Sequence, residues 1–412
     1  MRARSRLAGR PAFASHGCME PCDTLLTEAR LPDGRTGMAI ACAGGRIAAI
    51  LSPGSPLPPA RETHALGGQL LLPGLTDGHL HLDKTLMGLP WMPHAAGPTR
   101  ASRIETDQRL MPHLPLPPAE RASNLIRRCI AQGTALIRTH ADITPTFGLS
   151  MLEGILEAKA RHAGQVRIQT VAFPQAGVVT APGTEALLEA ALRAGADLLG
   201  GLDPCEVDRD PKGQLDILFR LAERHGVGLD IHLHEAGELG LFSLTEIAAR
   251  TRAHGMQGRV TISHGFCLGA LAESRQASAA AMMAEAGMAL VSHGAGGAPL
   301  PPLLRLRAEG VRVFCGNDNL RDLWSPYGTG DMLERAAIIG WRLDARTDAA
   351  LAELFDMVSA AGAAAMGEEA PALAVGAPAH LFAIPAETVG EAIGQHAPRG
   401  LVVFGGRVVH RA

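Results

Sequence analysis

Aromatic residues are scarce: they make up 3% of the 412 residues, with three tryptophans and a single tyrosine. Stacking platforms for single-stranded nucleic acid need such side chains in number, which argues against that class of partner. An excess of one charge is missing too. Lys and Arg total 38 against 41 Asp and Glu, for a net charge of −3. There is no basic field to attract nucleic acid and no polyacidic tail. No apolar run reaches the roughly 18 residues a membrane span requires. The seven cysteines (Cys18, Cys22, Cys42, Cys129, Cys205, Cys267 and Cys315) are scattered, odd in number and never in a C-x-x-C pair. Neither a disulfide framework nor a thiolate zinc site is indicated.

The opening "MRARSRLAGRPAFASHG" is basic but lacks the apolar core, about 7–15 residues long, of a secretory signal. Arg-rich transit peptides share some of this character. The expectation is a disordered arm over residues 1–22 and a reduced, cytoplasmic enzyme.

What the chain does have is alternation. Short β-type runs stand at 75–82, 134–142, 166–173, 196–203, 227–235, 258–265, 287–294 and 311–318. Helical runs lie between them, most ending in glycine as helix C-termini tend to. Eight such units predict a parallel sheet with crossovers, and a (β/α)8 TIM barrel rather than an open doubly wound sheet. No G-x-G-x-x-G follows the first strand, which counts against a dinucleotide fold. The flanks read differently. "GMAIACAGGRIAAI" suggests a hairpin around Gly44 and Gly45, and the tail from about residue 371 is also β-rich. The expected organisation is a barrel over 73–370 and a small β-sandwich built from 23–72 plus 371–412.

Nearly every barrel strand ends in polar residues: His79 and His81; His140 and Asp142; Gln175; Asp203; His232, His234 and Glu235; His264; His293; Asp318 and Asn319. Strand ends that merely precede loops would show mixed Ser, Asn, Asp and Gly. Histidine at five of eight ends fits better with one shared mouth, where barrel active sites form. Residues two apart on a strand share a face, so His79 and His81 can point into that mouth together. H-x-H alone is a weak signal. With His232 and Asp318 it makes three imidazoles and a carboxylate, a donor set for one divalent ion such as zinc or iron. Such an ion lowers the pKa of water toward neutrality. Glu235, three residues after His232, is the expected proton shuttle, and His264 the group that orients the attacking water. The middle strands offer no bridging Lys or Glu, so a single ion is expected. Lys84, just past the first strand, is placed to meet substrate or a carboxylate.

These motifs resemble the amidohydrolase superfamily, in particular its cytosine deaminase-like family, from about residue 37 onward. They are "PGLTDGHLHLDKT", "RTHADI", "VAFPQAG", "LDIHLHEAG", "GRVTISHG" and "CGNDNLRDLWSPYGTGDM", in order. The tail "AVGAPAHLFAIPAE…VVFGGRVV" is similar to the family's closing β segment, with His380 where Asp is usual. The resemblance implies metal ligands at His79, His81, His232 and Asp318, and catalytic roles at Glu235, His264 and Asp318. It also implies substrate contacts at Gln175, Lys84, Asp203, His234, Asn319 and Trp324. Lys84, Asp203, His234 and Asn319 match the isopropylammelide amidohydrolase branch better, whereas Glu235 matches the cytosine deaminases. The implied activity is hydrolysis of an exocyclic C–N bond, of the cyclic-amidine type, in a small nitrogen heterocycle such as a cytosine-like pyrimidine. An alkylamino-triazine releasing alkylamine, or ring opening of a cyclic amide, are the alternatives. A non-catalytic metal sensor would be expected to lack Glu235 or a ligand, and all are present. The expected partner is a small-molecule N-heterocyclic substrate, with no nucleic acid, no membrane, and assembly as a homo-oligomer.

Overall fold

The computed structural model describes residues 20–94 and 96–412. Cys18 and most of the expected N-terminal arm lie outside the described residues. No helix among the described residues is long and apolar enough to cross a membrane.

Four N-terminal strands, β1 (Cys22–Ala29), β2 (Met38–Ala43), β3 (Arg46–Leu51) and β4 (Ala60–Ala65), form one sheet in the order β3-β2-β1-β4. The expected hairpin joins β2 to β3: Gly44 and Gly45 both have positive φ, as a two-residue turn between right-twisted strands demands. A fifth strand, β5 (Leu70–Pro73), leaves this sheet and pairs with the C-terminal tail.

The barrel follows as β6 (Leu75–Leu80), β7 (Thr134–Asp142), β8 (Arg167–Phe173), β9 (Leu198–Leu202), β10 (Gly228–Leu233), β11 (Val260–His264), β12 (Ala289–Ser292) and β13 (Arg312–Cys315). Each strand pairs in parallel with the next, and a bridge between Leu80 and Asp318 brings the last back to the first. After β6 comes α1 (Arg100–Leu110), and outside the strands run α2 (Pro118–Ala131), α3 (Ser150–Arg161), α4 (Thr184–Ala194), α5 (Pro211–His225) and α6 (Gly237–Ala253). Then come α7 (Cys267–Ala270), α8 (Glu273–Glu285), α9 (Leu303–Ala308), α10 (Met332–Leu343), α11 (Asp348–Met357) and α12 (Ala360–Ala365).

Helix α5 shows why the sequence yields this layer. Asp210 caps its N-terminus by accepting from Gly213 N at 2.8 Å, Pro211 opens it, and Gly226 ends it at φ +68. Leu215, Leu218, Phe219 and Ala222 recur at helical spacing and are buried against the strands.

The tail adds β14 (Leu381–Ile384), α13 (Val389–Gln395), β15 (Leu401–Phe404) and β16 (Arg407–Arg411). Its strands join β5 in a second sheet, ordered β16-β15-β14-β5. Leu26, Ile40 and Ile47 from the first sheet share one core with Leu71, Leu381 and Leu401 from the second. The termini therefore form a small β-sandwich of two sheets beside the barrel. Arg399, fully buried, ties the tail to the barrel layer by donating to Asp331 at 2.5 Å and to the Gln132 carbonyl at 3.1 Å.

Candidate active site

The barrel interior is polar beneath its mouth. Arg138 donates to Asp230 at 2.9 Å and to Thr261 at 3.1 Å. Ser263 donates to the other Asp230 oxygen at 2.6 Å, and His79 Nδ1 lies 2.9 Å from the Ser263 hydroxyl. Since Ser263 gives its hydrogen to Asp230, the hydrogen between His79 and Ser263 sits on Nδ1. Nε2 of His79 is left as the lone-pair nitrogen facing the mouth.

Above this layer the imidazoles gather. Nitrogens of His79, His81, His140 and His232 lie within 4.8 Å of one another, and His79, His264 and Asp318 form a second such group. Asp318 Oδ1 is 3.3 Å from His81 Nε2 and 3.5 Å from His79 Nε2. Both ring nitrogens of His140, His232 and His264 are buried without a hydrogen-bond partner, as are His79 Nε2 and His81 Nδ1. Burial pushes His81 down to about 4 and His140, His232 and His264 well below the usual histidine range. Burial alone would raise Asp318, but the imidazoles crowded around it, His79 and His81 nearest, outweigh burial and hold the carboxyl well below its usual range. Neutral imidazoles, an ionised carboxylate and unmet buried nitrogens together make a donor set that suits a divalent cation.

Three of the four ligands expected from the sequence, His79, His81 and His232, fall in the first group, and Asp318 meets His79 in the second. His140 joins them as a further nitrogen donor. It had stood out only as a polar strand end, although "RTHAD" places it on the same face as Asp142, two residues on.

Asp318 reaches the cluster because the barrel closes there with almost no space to spare. A Cβ on Gly316 would lie 2.4 Å from the backbone nitrogen of His79, so only glycine fits. Next to it, Asn317 donates from its backbone and side chain to the two oxygens of Asp77, at 2.9 and 2.7 Å. Three site residues hold positive φ at strand ends: Asp203 (+35), His264 (+74) and Asp318 (+62). Each carries backbone strain of order 1 kcal/mol or more, which persists where surrounding structure fixes the conformation.

Glu235 stands apart. One oxygen accepts from the backbone nitrogens of Cys205 and Glu206, at 2.7 and 2.9 Å, and the other accepts from the Ser243 hydroxyl. The carboxylate expected to shuttle protons holds the loop after β9 to α6 in this structure, and none of these hydrogen bonds goes to the histidine cluster. The physical reason is local: two backbone N–H groups and a hydroxyl converge on it, a better-satisfied place for a buried carboxylate than the crowded mouth.

His234 is nearer the chemistry. Its Nδ1 lies 2.8 Å from Asp203, and its ring stacks on His264 with centroids 4.3 Å apart. Arg100 also reaches Asp203, at 2.9 Å. On the other side Lys84 is buried, 3.1 Å from Asp107 and 4.0 Å from Asp142, with its ammonium 4.9 Å from the Trp324 ring centre. Gln175 is buried with its carbonyl oxygen unpartnered. Asn319 donates to Asp322, which also accepts from the backbone nitrogens of Trp324 and Ser325 at 2.8 Å each.

A model of the amidohydrolase family matches residues 62–410. The chain belongs to the amidohydrolase family. As an amidohydrolase it is a hydrolase of carbon–nitrogen bonds, the enzyme class expected from the sequence. The structure of N-isopropylammelide isopropylaminohydrolase from Burkholderia multivorans ATCC 17616 is 43% identical, with a TM-score of 0.90 covering 95% of this chain and 98% of that one. N-isopropylammelide isopropyl amidohydrolase of Pseudomonas sp. strain ADP is 31% identical over 353 residues, 83% of this chain and 86% of that protein. The uncharacterized protein YahJ of Escherichia coli strain K12 is 37% identical over 301 residues, 71% of this chain and 64% of that protein.

In this amidohydrolase the strand ends supply two kinds of chemistry side by side. A nitrogen-rich cluster lies under His264 and Asp318. Around it stand fixed donors and acceptors: Lys84, Gln175, His234 and Asn319. Such a site can hold a flat polar ring over a metal centre.

Proposed function

We propose that this amidohydrolase removes an amine from an exocyclic C–N bond of a small nitrogen heterocycle, with an oxygen-bearing triazine favoured over a cytosine-like pyrimidine. The observation that carries this is the buried Lys84 at the mouth, together with Asn319 rather than a second aspartate after Asp318. A pyrimidine amidine would be served by a second carboxylate, whereas an ammonium favours a ring oxygen with negative character. The 43% identity to the isopropylammelide enzyme over nearly its whole length supports the same reading.

We assign one divalent ion, zinc or iron, to His79, His81, His232 and Asp318, with His140 beside them. Bound there, the ion supplies Lewis acidity and lowers the pKa of water. The rest falls to the protein's own groups. His264, neutral and next to Asp318, takes a proton from the attacking water and returns it to the leaving nitrogen. Lys84 and Gln175 fix the ring oxygen, Trp324 lines the ring's side, and His234, oriented by Asp203, holds the opposite edge. Water's oxygen ends on the ring carbon, one of its protons on the leaving amine and the other on the product ring's oxygen or nitrogen.

The test is a product screen. Metal-loaded protein is incubated with N-alkylamino-hydroxytriazines, cytosine and pterins, and alkylamine, ammonia and ring-opened product are measured separately. Release of alkylamine from the triazine supports the reading. A ring-opened product without free amine would overturn it.

A further inference from the structure

Helix α1 crosses the mouth between β6 and α2, and its character is unusual. Its sequence, RASRIETDQRL, is polar on every side, and only Thr106 and Asp107 are buried. A helix without an apolar face gains little from packing and must be held by other means. Here ionic contacts at its two ends hold it. Near its start Arg100 reaches Asp203 at 2.9 Å and Glu206 at 2.7 Å. Near its end Asp107 reaches Lys84 at 3.1 Å. Beyond that end the chain is anchored, since Met111 packs into an apolar cluster with Leu86, Leu89 and Phe147.

At each end one contact falls on a residue assigned above to substrate. Lys84, Gln175 and Trp324 all lie against the Asp107 carboxylate and favour its charged form, opposing the upward push of burial. One Asp107 oxygen and the Trp324 indole nitrogen still lack a hydrogen-bond partner, as does the carbonyl of the buried Gln175. With the lid in this position, His81, His232 and His264 are each no more than 4% exposed, while Asp318 and His234 remain partly open at their side chains.

We propose that Asp107 is an internal stand-in for the substrate. Its carboxylate occupies the subsite where Lys84, Gln175 and Trp324 receive a ring oxygen of anionic or imide type, and α1 is a lid that substrate displaces. This rests on the proposed function. It adds the ligand class of that subsite and the residues that guard it. Asp83 is already occupied by the Asp142 backbone nitrogen at 2.9 Å, so Asp107 is the best partner Lys84 has. A ring carrying negative charge on oxygen restores that partner when Asp107 leaves; a ring bearing only amino groups does not.

The test uses metal-loaded protein and two probes, cyanuric acid, whose oxygens are of imide type, and melamine, which has none. Binding is measured by calorimetry. If Asp107 taxes the open state, Asp107→Ala binds cyanuric acid about ten-fold tighter than the natural chain, with melamine unchanged. Equal or weaker cyanuric acid binding overturns the proposal. Hydrogen exchange over residues 100–110 gives a second measure that does not depend on that variant folding. Exchange should rise when cyanuric acid binds the natural chain, and in Arg100→Ala without ligand; protection of this segment by cyanuric acid overturns the proposal. Tighter binding in Asp107→Ala with no turnover of any heterocycle would leave the lid standing and sink the proposed function. Turnover with no tighter binding would sink the lid alone.

Discussion

Asp203 accepts from His234 Nδ1 at 2.8 Å and, on the same oxygen, lies 2.9 Å from Arg100. Burial would raise this carboxyl, yet His234 and Arg100 outweigh burial and hold it below its usual range. A single charge thus orients a ring stacked on His264 and anchors the helix over the mouth. Asp203→Asn keeps the shape and removes the charge. A hydrogen bond to a charged group is worth about 1.5–3 kcal/mol, so kcat/KM should fall about 10- to 100-fold. Metal content should stay unchanged, as measured by elemental analysis; a variant that loses both would show that Asp203 acts on the metal ligands instead.

Glu235 offers the opposite expectation. Gln at this position can still accept from Cys205 and Glu206 and donate to Ser243, so the loop should remain in place. Turnover in Glu235→Gln should stay within about ten-fold of the natural chain, or about 1.4 kcal/mol of barrier. Loss of turnover with normal metal content would return the shuttle role to Glu235 and falsify its assignment to the loop.

The cluster should bind metal strongly enough to report on folding. At 100-fold excess over its dissociation constant, an ion adds about 2.7 kcal/mol to the folded state. Chelation should therefore lower the thermal midpoint by several degrees. His232→Ala should show the chelated midpoint with or without added zinc; a midpoint that still rises with zinc would place the ion elsewhere.

Burial pushes the Asp322 carboxyl up to about 7, above its ordinary 3.8. A folded-state pKa above the unfolded one means that the native chain holds the extra proton between those values. The stability it contributes is full below about pH 4 and is lost as pH rises through about 7. The urea midpoint of metal-free protein should fall between pH 5 and pH 8. Asp322→Asn should shrink that fall, and an unchanged pH slope would remove Asp322 from the explanation.

Arg399 and Asp331 are both buried, and the pair joins the tail to the cap of α10. Removing one partner of a buried pair strands the other charge, at a cost of about 3–5 kcal/mol. Arg399→Ala should lower the denaturation midpoint strongly while leaving KM near normal, if the protein folds at all. A change below about 1 kcal/mol, typical of surface substitutions, would contradict the linkage.

The eight barrel strands were legible because apolar runs, turn glycines and strand-end histidines all coincide. The metal-type residues were legible for the same reason, since His79, His81, His232 and Asp318 all stand at or just past the ends of their strands. Less visible were the polar helix α1 and the short α13, whose patterns carry no apolar stripe or too few turns to show periodicity. The two-sheet form of the terminal sandwich depends on β5 switching partner to β14, and no local signal announces a pairing across some 300 residues of chain. The hydrogen bonds of Glu235 were illegible for a similar reason. Its spacing from His232 is right for a shuttle, but its rotamer is decided by Cys205, Glu206 and Ser243, which sequence spacing does not bring near. Asp107 was invisible because a lid contact depends on where a loop folds back.

The seam at Gly316 has a consequence for assembly. Asn317 meets Asp77 across 240 residues of chain, and Asp318 joins His79 only once that seam has closed. The first and last of the proposed ligands thus come from the first strand and from just beyond the last. A nascent chain emerging from the ribosome can present His79 and His81 early, yet it cannot offer the complete cage until β13 has docked. On the ligand set proposed above, metal loading is a late event that certifies a finished barrel, and partly synthesised or truncated chains should bind the ion only weakly.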